Sequence, residues 1–118
     1  MNIKTVLLSN MEVEIERRLI TNFMDLIILR ILRSNKHSMG GYDIIRYMQL
    51  NYNLLPSSGT VYSCLYAMER RGLIKARQHG RKRAYIITSH GEKTIKALEA
   101  SKNKVNRFIS MILYGTKR

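Results

Sequence analysis

Apolar residues recur at steps of three and four between Met11 and Arg33, through Val13, Ile20, Met24, Ile27, Ile28, Ile31 and Leu32, and this spacing predicts a helix. Thr21-Asn22 interrupts it, since both residues favour helix ends over helix interiors. Ser34 to Ser38 is a polar connection, and Gly40-Gly41 follows. Ile44, Ile45, Met48 and Leu50 give the apolar face of a second helix, Tyr42 to Asn51. Pro56 ends any helix before it, because the residue ahead of a proline avoids the helical region. Ser57 and Ser58 are N-cap candidates for a third helix, Gly59 to Arg71, with Val61, Leu65 and Met68 on one face and Tyr62 flanking them. Gly72 is expected just past its end with a positive φ. The period then changes to two. Leu73 to His79 and Arg83 to Thr88 read as strands around the turn His79-Gly80-Arg81-Lys82, where Gly80 supplies a positive φ. A last helix is predicted from Gly91 to about Tyr114, with Thr116-Lys117-Arg118 as a loose tail.

Charge changes the picture from a fold to a partner. The 118 residues carry 21 Lys and Arg against 8 Asp and Glu, a formal charge of +13. The excess is densest over residues 73–91, where Lys75, Arg77, Arg81, Lys82 and Arg83 meet no acidic residue at all. A chain this basic fits a polyanionic partner, nucleic acid first and an acidic membrane surface second. The longest apolar stretch, Phe23 to Leu32, is cut by Asp25 and Arg30, so no transmembrane span is expected. Leu7 and Leu8 are too short for a signal peptide, and a cytoplasmic, reducing location is expected.

Catalytic chemistry has little to stand on. A single cysteine, Cys64, excludes an internal disulfide framework and any multi-cysteine zinc site. His37, His79 and His90 show no metal-ligand spacing, and no paired carboxylates, nucleophile–base motif or phosphate-cradling glycine loop is present. The chain is expected to be no enzyme and to need no cofactor. Cys64 is read as a small half-buried residue in preference to a redox-sensing thiol, which would require exposure beside Arg or Lys.

Three helices, a basic hairpin and a further helix describe a mainly α fold with a small two-stranded β wing, a winged helix-turn-helix. In such a fold the third helix enters the major groove and the hairpin forms the wing. One domain is expected over 1–118, with a DNA-binding core over about 22–90 and a C-terminal dimerisation helix over 91–114.

The residues also carry a family resemblance. Leu26-Ile27-Ile28-Leu29-Arg30-Ile31-Leu32, followed by Gly41-Tyr42-Asp43-Ile44, resembles the first helix and the start of the second helix in PadR-like transcriptional regulators. The match is strongest at Gly59-Thr60-Val61-Tyr62, Leu65, Met68-Glu69 and Gly72-Leu73-Ile74, and continues through Arg81-Lys82-Arg83-Ala84-Tyr85 and Thr88-Ser89-His90-Gly91. It covers roughly residues 23–95. The resemblance implies a winged-helix dimer, with dimerisation helices at both ends of the chain, that represses transcription by binding palindromic double-stranded DNA. Met68 stands where leucine is common, a tolerable apolar exchange, and the single helix expected after the wing makes this a short member.

The recognition-helix candidates are Ser57, Ser58, Thr60, Ser63, Tyr66 and Arg70. The first three sit at the helix start, where hydroxyls and free backbone N–H groups meet phosphate. The others run along a face turned away from Val61 and Leu65. The wing candidates are Arg77, His79, Arg81, Lys82 and Arg83. Arginine suits a narrow minor groove and lysine a phosphate. Tyr62 is assigned to packing in preference to DNA contact. In the last helix Ile95, Leu98, Val105, Phe108, Ile109 and Ile112 form an apolar stripe, read as the seam of a homodimer in preference to packing on the first helix. Two rival readings stand beside this one. Seven tyrosines keep an RNA- or ribosome-associated winged-helix protein open, and the basic face keeps open a module that binds acidic proteins. A small-molecule effector, unidentified, is left open.

Overall fold

The computed structural model describes residues 3–116, with side chains from Asn10 onward. Positions 117 and 118 of the expected tail lie outside the described residues. The described chain opens with α1, Ile3–Asn22, and α2, Met24–Ser34, separated at Phe23, one residue past the interruption expected at Thr21-Asn22, which are the last residues of α1. The helix therefore starts earlier than the Met11 expected from periodicity. α2 carries the centre of the core: Ile28, Leu29 and Ile31 are inaccessible to solvent.

A two-residue strand, β1 (Met39–Gly40), leads into α3, Gly41–Tyr52. The Gly40 N–H donates to the Asp43 carboxylate at 2.9 Å, which caps the first turn of α3. Asn53 closes the helix in the left-handed region at φ 53°. After Pro56, α4 runs Ser58–Arg70 with Ser57 as its N-cap, the Ser57 hydroxyl accepting from the Thr60 N–H at 3.2 Å. The cap is thus Ser57, and Ser58 is the first helical residue. Val61, Leu65 and Met68 point into the core together with Ile44 and Met48 of α3. Gly72 ends the turn after α4 at φ 75°.

β2 (Ile74–His79) and β3 (Lys82–Ile87) form the expected antiparallel hairpin, with His79 opposite Lys82 and Gly80 at φ 61° between them. The hairpin is not alone. β1 pairs with the outer side of β3, Met39 opposite Tyr85, so the sheet has three strands in the order β1-β3-β2. A two-residue strand is too short to show a period of two.

Thr88 joins the sheet to the C-terminal part. Its hydroxyl accepts from the Gly91 N–H at 3.1 Å, capping α5 (Ser89–Ala100), and its own N–H donates to the Leu73 carbonyl at 3.1 Å. Gly91 packs directly under that carbonyl, where a Cβ would stand inside van der Waals contact. α6 spans Lys102–Tyr114. The single long helix expected after the wing is therefore two helices. Ser101 breaks it at φ −90° and ψ 5°, its hydroxyl bonding back to the Ala97 carbonyl at 2.9 Å. α2 and α5 are tied by Arg33, which pairs with both Glu92 and Glu99.

No side chain of α6 is buried. The Cα radius of gyration is 16.9 Å, against about 13 Å for a globule of this length. The excess reflects a long axis of 54 Å. No helix among the described residues is long and apolar enough to cross a membrane.

Cys64 is half-buried on α4, its Sγ 3.7 Å from Met68 Sδ. Burial pushes its thiol up to about 11, with the Asp25 charge adding to the rise and Arg71 opposing it. Two measurements test this packing. Gly91→Ala is expected to destabilise the fold by roughly 1–3 kcal/mol in urea unfolding, because the methyl collides with backbone. Alkylation of Cys64 at neutral pH is expected to run about a hundredfold slower than for an ordinary cysteine, the deficit in thiolate that its raised pKa sets.

Candidate nucleic-acid interface

The apolar face of α4 decides what its other face offers. With Val61, Leu65 and Met68 inward, Ser57, Ser58, Thr60, Ser63, Tyr66 and Arg70 are all exposed. Ser57 and Thr60 are joined by a hydroxyl–hydroxyl bond of 2.7 Å, so the helix start presents a small polar cluster. The first turn of α4 has no acidic residue, and its free N–H groups face outward without a competing carboxylate.

Tyr62 packs as expected and is also partly exposed. Its ring lies over the backbone of Gly41, where even one methyl would collide with it. Yet the residue remains 37% exposed and walls a cleft of about 320 Å³. Tyr42 of α3, Tyr62 and Tyr66 of α4, and Arg81, Lys82 and Arg83 of the wing all line that cleft. α4 and the wing tip therefore border one concave surface. Tyr42, which is 68% exposed, was not singled out among the candidates. The only signal for it was its place in Gly41-Tyr42-Asp43, read as a helix start.

The five wing candidates differ in what holds them. Arg77, His79 and Arg81 are exposed, and none has an ion-pair partner among the described residues. Lys82 lies 3.3 Å from the Asp43 carboxylate. That carboxyl sits below the usual aspartate range, first because it accepts from the Gly40 N–H and then because Lys82 and Arg46 are near. Arg83 is engaged more firmly. One of its nitrogens lies 2.7 Å from each carboxylate oxygen of Glu69, and its guanidinium carbon stands 5.9 Å from the centre of the Tyr85 ring. Tyr85 itself is buried, and burial raises its phenol above the usual value.

The C-terminal candidates separate at Ser101. Ile95 is wholly inaccessible within the chain's own core, so it is a core residue and not part of an open seam. The reason is that α5 packs on α2, which consumes the inward side of the stripe. Leu98 is half-exposed and borders a cleft with Val105 and Arg30. Val105, Phe108, Ile109 and Ile112 are 40%, 58%, 43% and 76% exposed. Among the described residues no group of three His, Cys, Asp or Glu side chains is placed to hold a metal ion.

Solved structures with this arrangement include transcriptional regulators. A PadR family transcription regulator from Clostridium difficile matches with a TM-score of 0.65 at 23% identity, over 77% of this chain and 98% of its own. A transcriptional regulator from Clostridium thermocellum matches with a TM-score of 0.65 at 26% identity, over 78% and 95%. The Bacillus subtilis PadR in complex with operator DNA matches with a TM-score of 0.56 at 24% identity, over 64% of this chain and 45% of that longer one. No curated protein matches in sequence. Residues 28–97 match the family described as the transcriptional regulator PadR-like family, well over half of the chain. The chain belongs to the PadR-like family of transcriptional regulators and is a winged-helix protein rather than an enzyme.

Proposed function

We propose that this protein is a sequence-specific double-stranded DNA-binding regulator that acts as a homodimer, as a repressor, in the cytoplasm. The observation that supports it best is the shared cleft: the exposed face of α4 and the cationic wing tip border one surface. In this reading α4 lies in the major groove. Ser63 and Tyr66 face base edges, and Ser57, Ser58 and Thr60 face phosphate at the helix start. Arg77 and Arg81 are free cations for the flanking backbone or minor groove. The Bacillus subtilis relative in complex with operator DNA supports duplex DNA as the partner. Residues of about 22–90 serve as the DNA-binding core.

The homodimer reading is supported by α6. A helix that exposes Val105, Phe108, Ile109, Met111, Ile112 and Leu113 has an apolar face that the described residues leave uncovered. A second copy would cover it, and palindromic recognition needs two copies. The dimerisation arm in this reading is residues 101–114, with Leu98 at its edge.

Three outcomes are expected. In competition binding over single-base variants of a duplex selected from a random pool, Ser63→Ala and Tyr66→Ala should shift relative affinity by about 1–3 kcal/mol at particular positions. Uniform loss over the panel would mean that α4 holds the backbone without reading it, and a preference for single-stranded RNA over duplex DNA would favour the RNA reading. Arg81→Ala should lower the slope of log affinity against log salt by roughly 0.9, one lost phosphate contact. Val105→Glu or Ile109→Glu should convert the sedimenting species to a monomer of 13.8 kDa. An unmodified protein that is already monomeric at about 10⁻⁵ M, a threshold near 7 kcal/mol of association, would overturn the dimer.

A further inference from the structure

The wing contains a cation that its own chain has already engaged. Arg83 faces the cleft, yet its guanidinium donates to both oxygens of the Glu69 carboxylate at 2.7 Å. Glu69 belongs to α4, three residues from Tyr66 and next to Arg70, so a carboxylate stands beside the surface assigned to DNA. An uncompensated carboxylate there would repel phosphate. An uncompensated Arg83 would attract phosphate of any sequence. The pair cancels both effects.

From this geometry we infer that Glu69 is a specificity-determining residue: it withholds Arg83 from phosphate and fixes the wing against α4, so that sequence-independent attraction is reduced. The inference rests on the DNA-binding reading above. Three features of the structure support it. First, the pair bridges two elements fourteen residues apart, α4 and β3, so it sets the wing's position relative to the reading helix. Second, Arg83 is supported from another side by Tyr85, whose ring is fixed in the core, so the guanidinium has a defined seat. Third, the neighbouring Lys82 is held in the same manner by Asp43 at 3.3 Å, whereas Arg77 and Arg81 have no such partner among the described residues. Two adjacent cations at the start of β3 are thus engaged by carboxylates of α4 and α3, and Arg77 and Arg81 on either side of them are left for DNA. The pair is half-exposed, with side-chain accessibilities of 43% and 29%, so phosphate can compete for Arg83 once Glu69 loses its charge.

The test compares Glu69→Gln, Arg83→Gln and the unmodified protein by salt titration on two duplexes of equal length, one selected by the unmodified protein and one of random sequence. Glu69→Gln should release Arg83 to phosphate. Its log–log salt slope on random duplex should steepen by roughly 0.9. Its affinity for that duplex should rise about three- to tenfold at 0.1 M salt (an order-of-magnitude expectation from one added phosphate contact), and the ratio of selected to random binding should fall. Arg83→Gln should lower affinity for both duplexes, because it leaves the Glu69 carboxylate unpaired, but should change the slope by much less than 0.9, because no phosphate contact is lost, while the ratio falls through the loosened wing. A slope that drops by about one in Arg83→Gln would make Arg83 an ordinary phosphate contact and overturn the inference, even if Glu69→Gln proved too unstable to assay. An unchanged slope in a folded Glu69→Gln would overturn it as well. Failure of the unmodified protein to bind either duplex would sink the DNA-binding reading and this inference together, whereas the first two results sink the inference alone.

Discussion

The rotation of one helix about its own axis governs the rest of this molecule. α4 has three inward residues, Val61, Leu65 and Met68, at steps of four and three, and all are essentially inaccessible. They lock against Ile28, Leu29, Ile31 and Leu32 of α2 and against Ile44 and Met48 of α3. Close packing allows such a helix little freedom to roll, because a turn of even one residue would push Tyr62 or Cys64 into a full core. The outward face is therefore a consequence of the inward one. Gly41 adds a second restraint, since only a residue without a side chain leaves room for the Tyr62 ring at the crossing of α3 and α4.

Charge is arranged with similar economy. Six of the eight carboxylates, Glu14, Asp25, Asp43, Glu69, Glu92 and Glu99, lie in ion pairs among the described residues. Most of these pairs are exposed, and each contributes little to stability. Their larger effect is on where positive potential remains. Glu92 and Glu99 engage Arg30 and Arg33 at the α2–α5 contact, and Asp25 engages Arg71 near the end of α4. Among the described residues, the cations without an ion-pair partner include Arg70 on α4 and Lys75, Arg77 and Arg81 on the hairpin.

Local chemistry was readable from the residues, and tertiary chemistry was not. The interruption before Phe23, the stop at Pro56, the positive φ at Gly72 and Gly80 and the inward face of α4 each follow from one or two neighbouring residues. Ser57 and Ser58 were equal as caps until the Thr60 N–H selected Ser57. The pairing of Arg83 with Glu69 spans fourteen residues and depends on how the hairpin folds back, which no local pattern encodes. The same holds for β1, whose only recommendation as a strand is the open side of β3. Ile95 belonged to a continuous stripe in the sequence, but the break at Ser101 places its half of the stripe in the core and the other half in solvent. The exposed positions on α4 were legible because the core determines them. Their ligands are not encoded in helical periodicity at all.

The tyrosine-lined cleft has an optical consequence. The chain contains no tryptophan, so its intrinsic ultraviolet emission comes from seven tyrosines. Four of them, Tyr42, Tyr62, Tyr66 and Tyr85, line the cleft between α4 and the wing, whereas Tyr47 and Tyr52 pair with each other on α3 and Tyr114 stands alone at the end of α6. Any molecule that enters the cleft changes the surroundings of most of the chromophores at once. The protein thus carries a built-in reporter at that surface, with no label attached and no dominant indole signal to mask it.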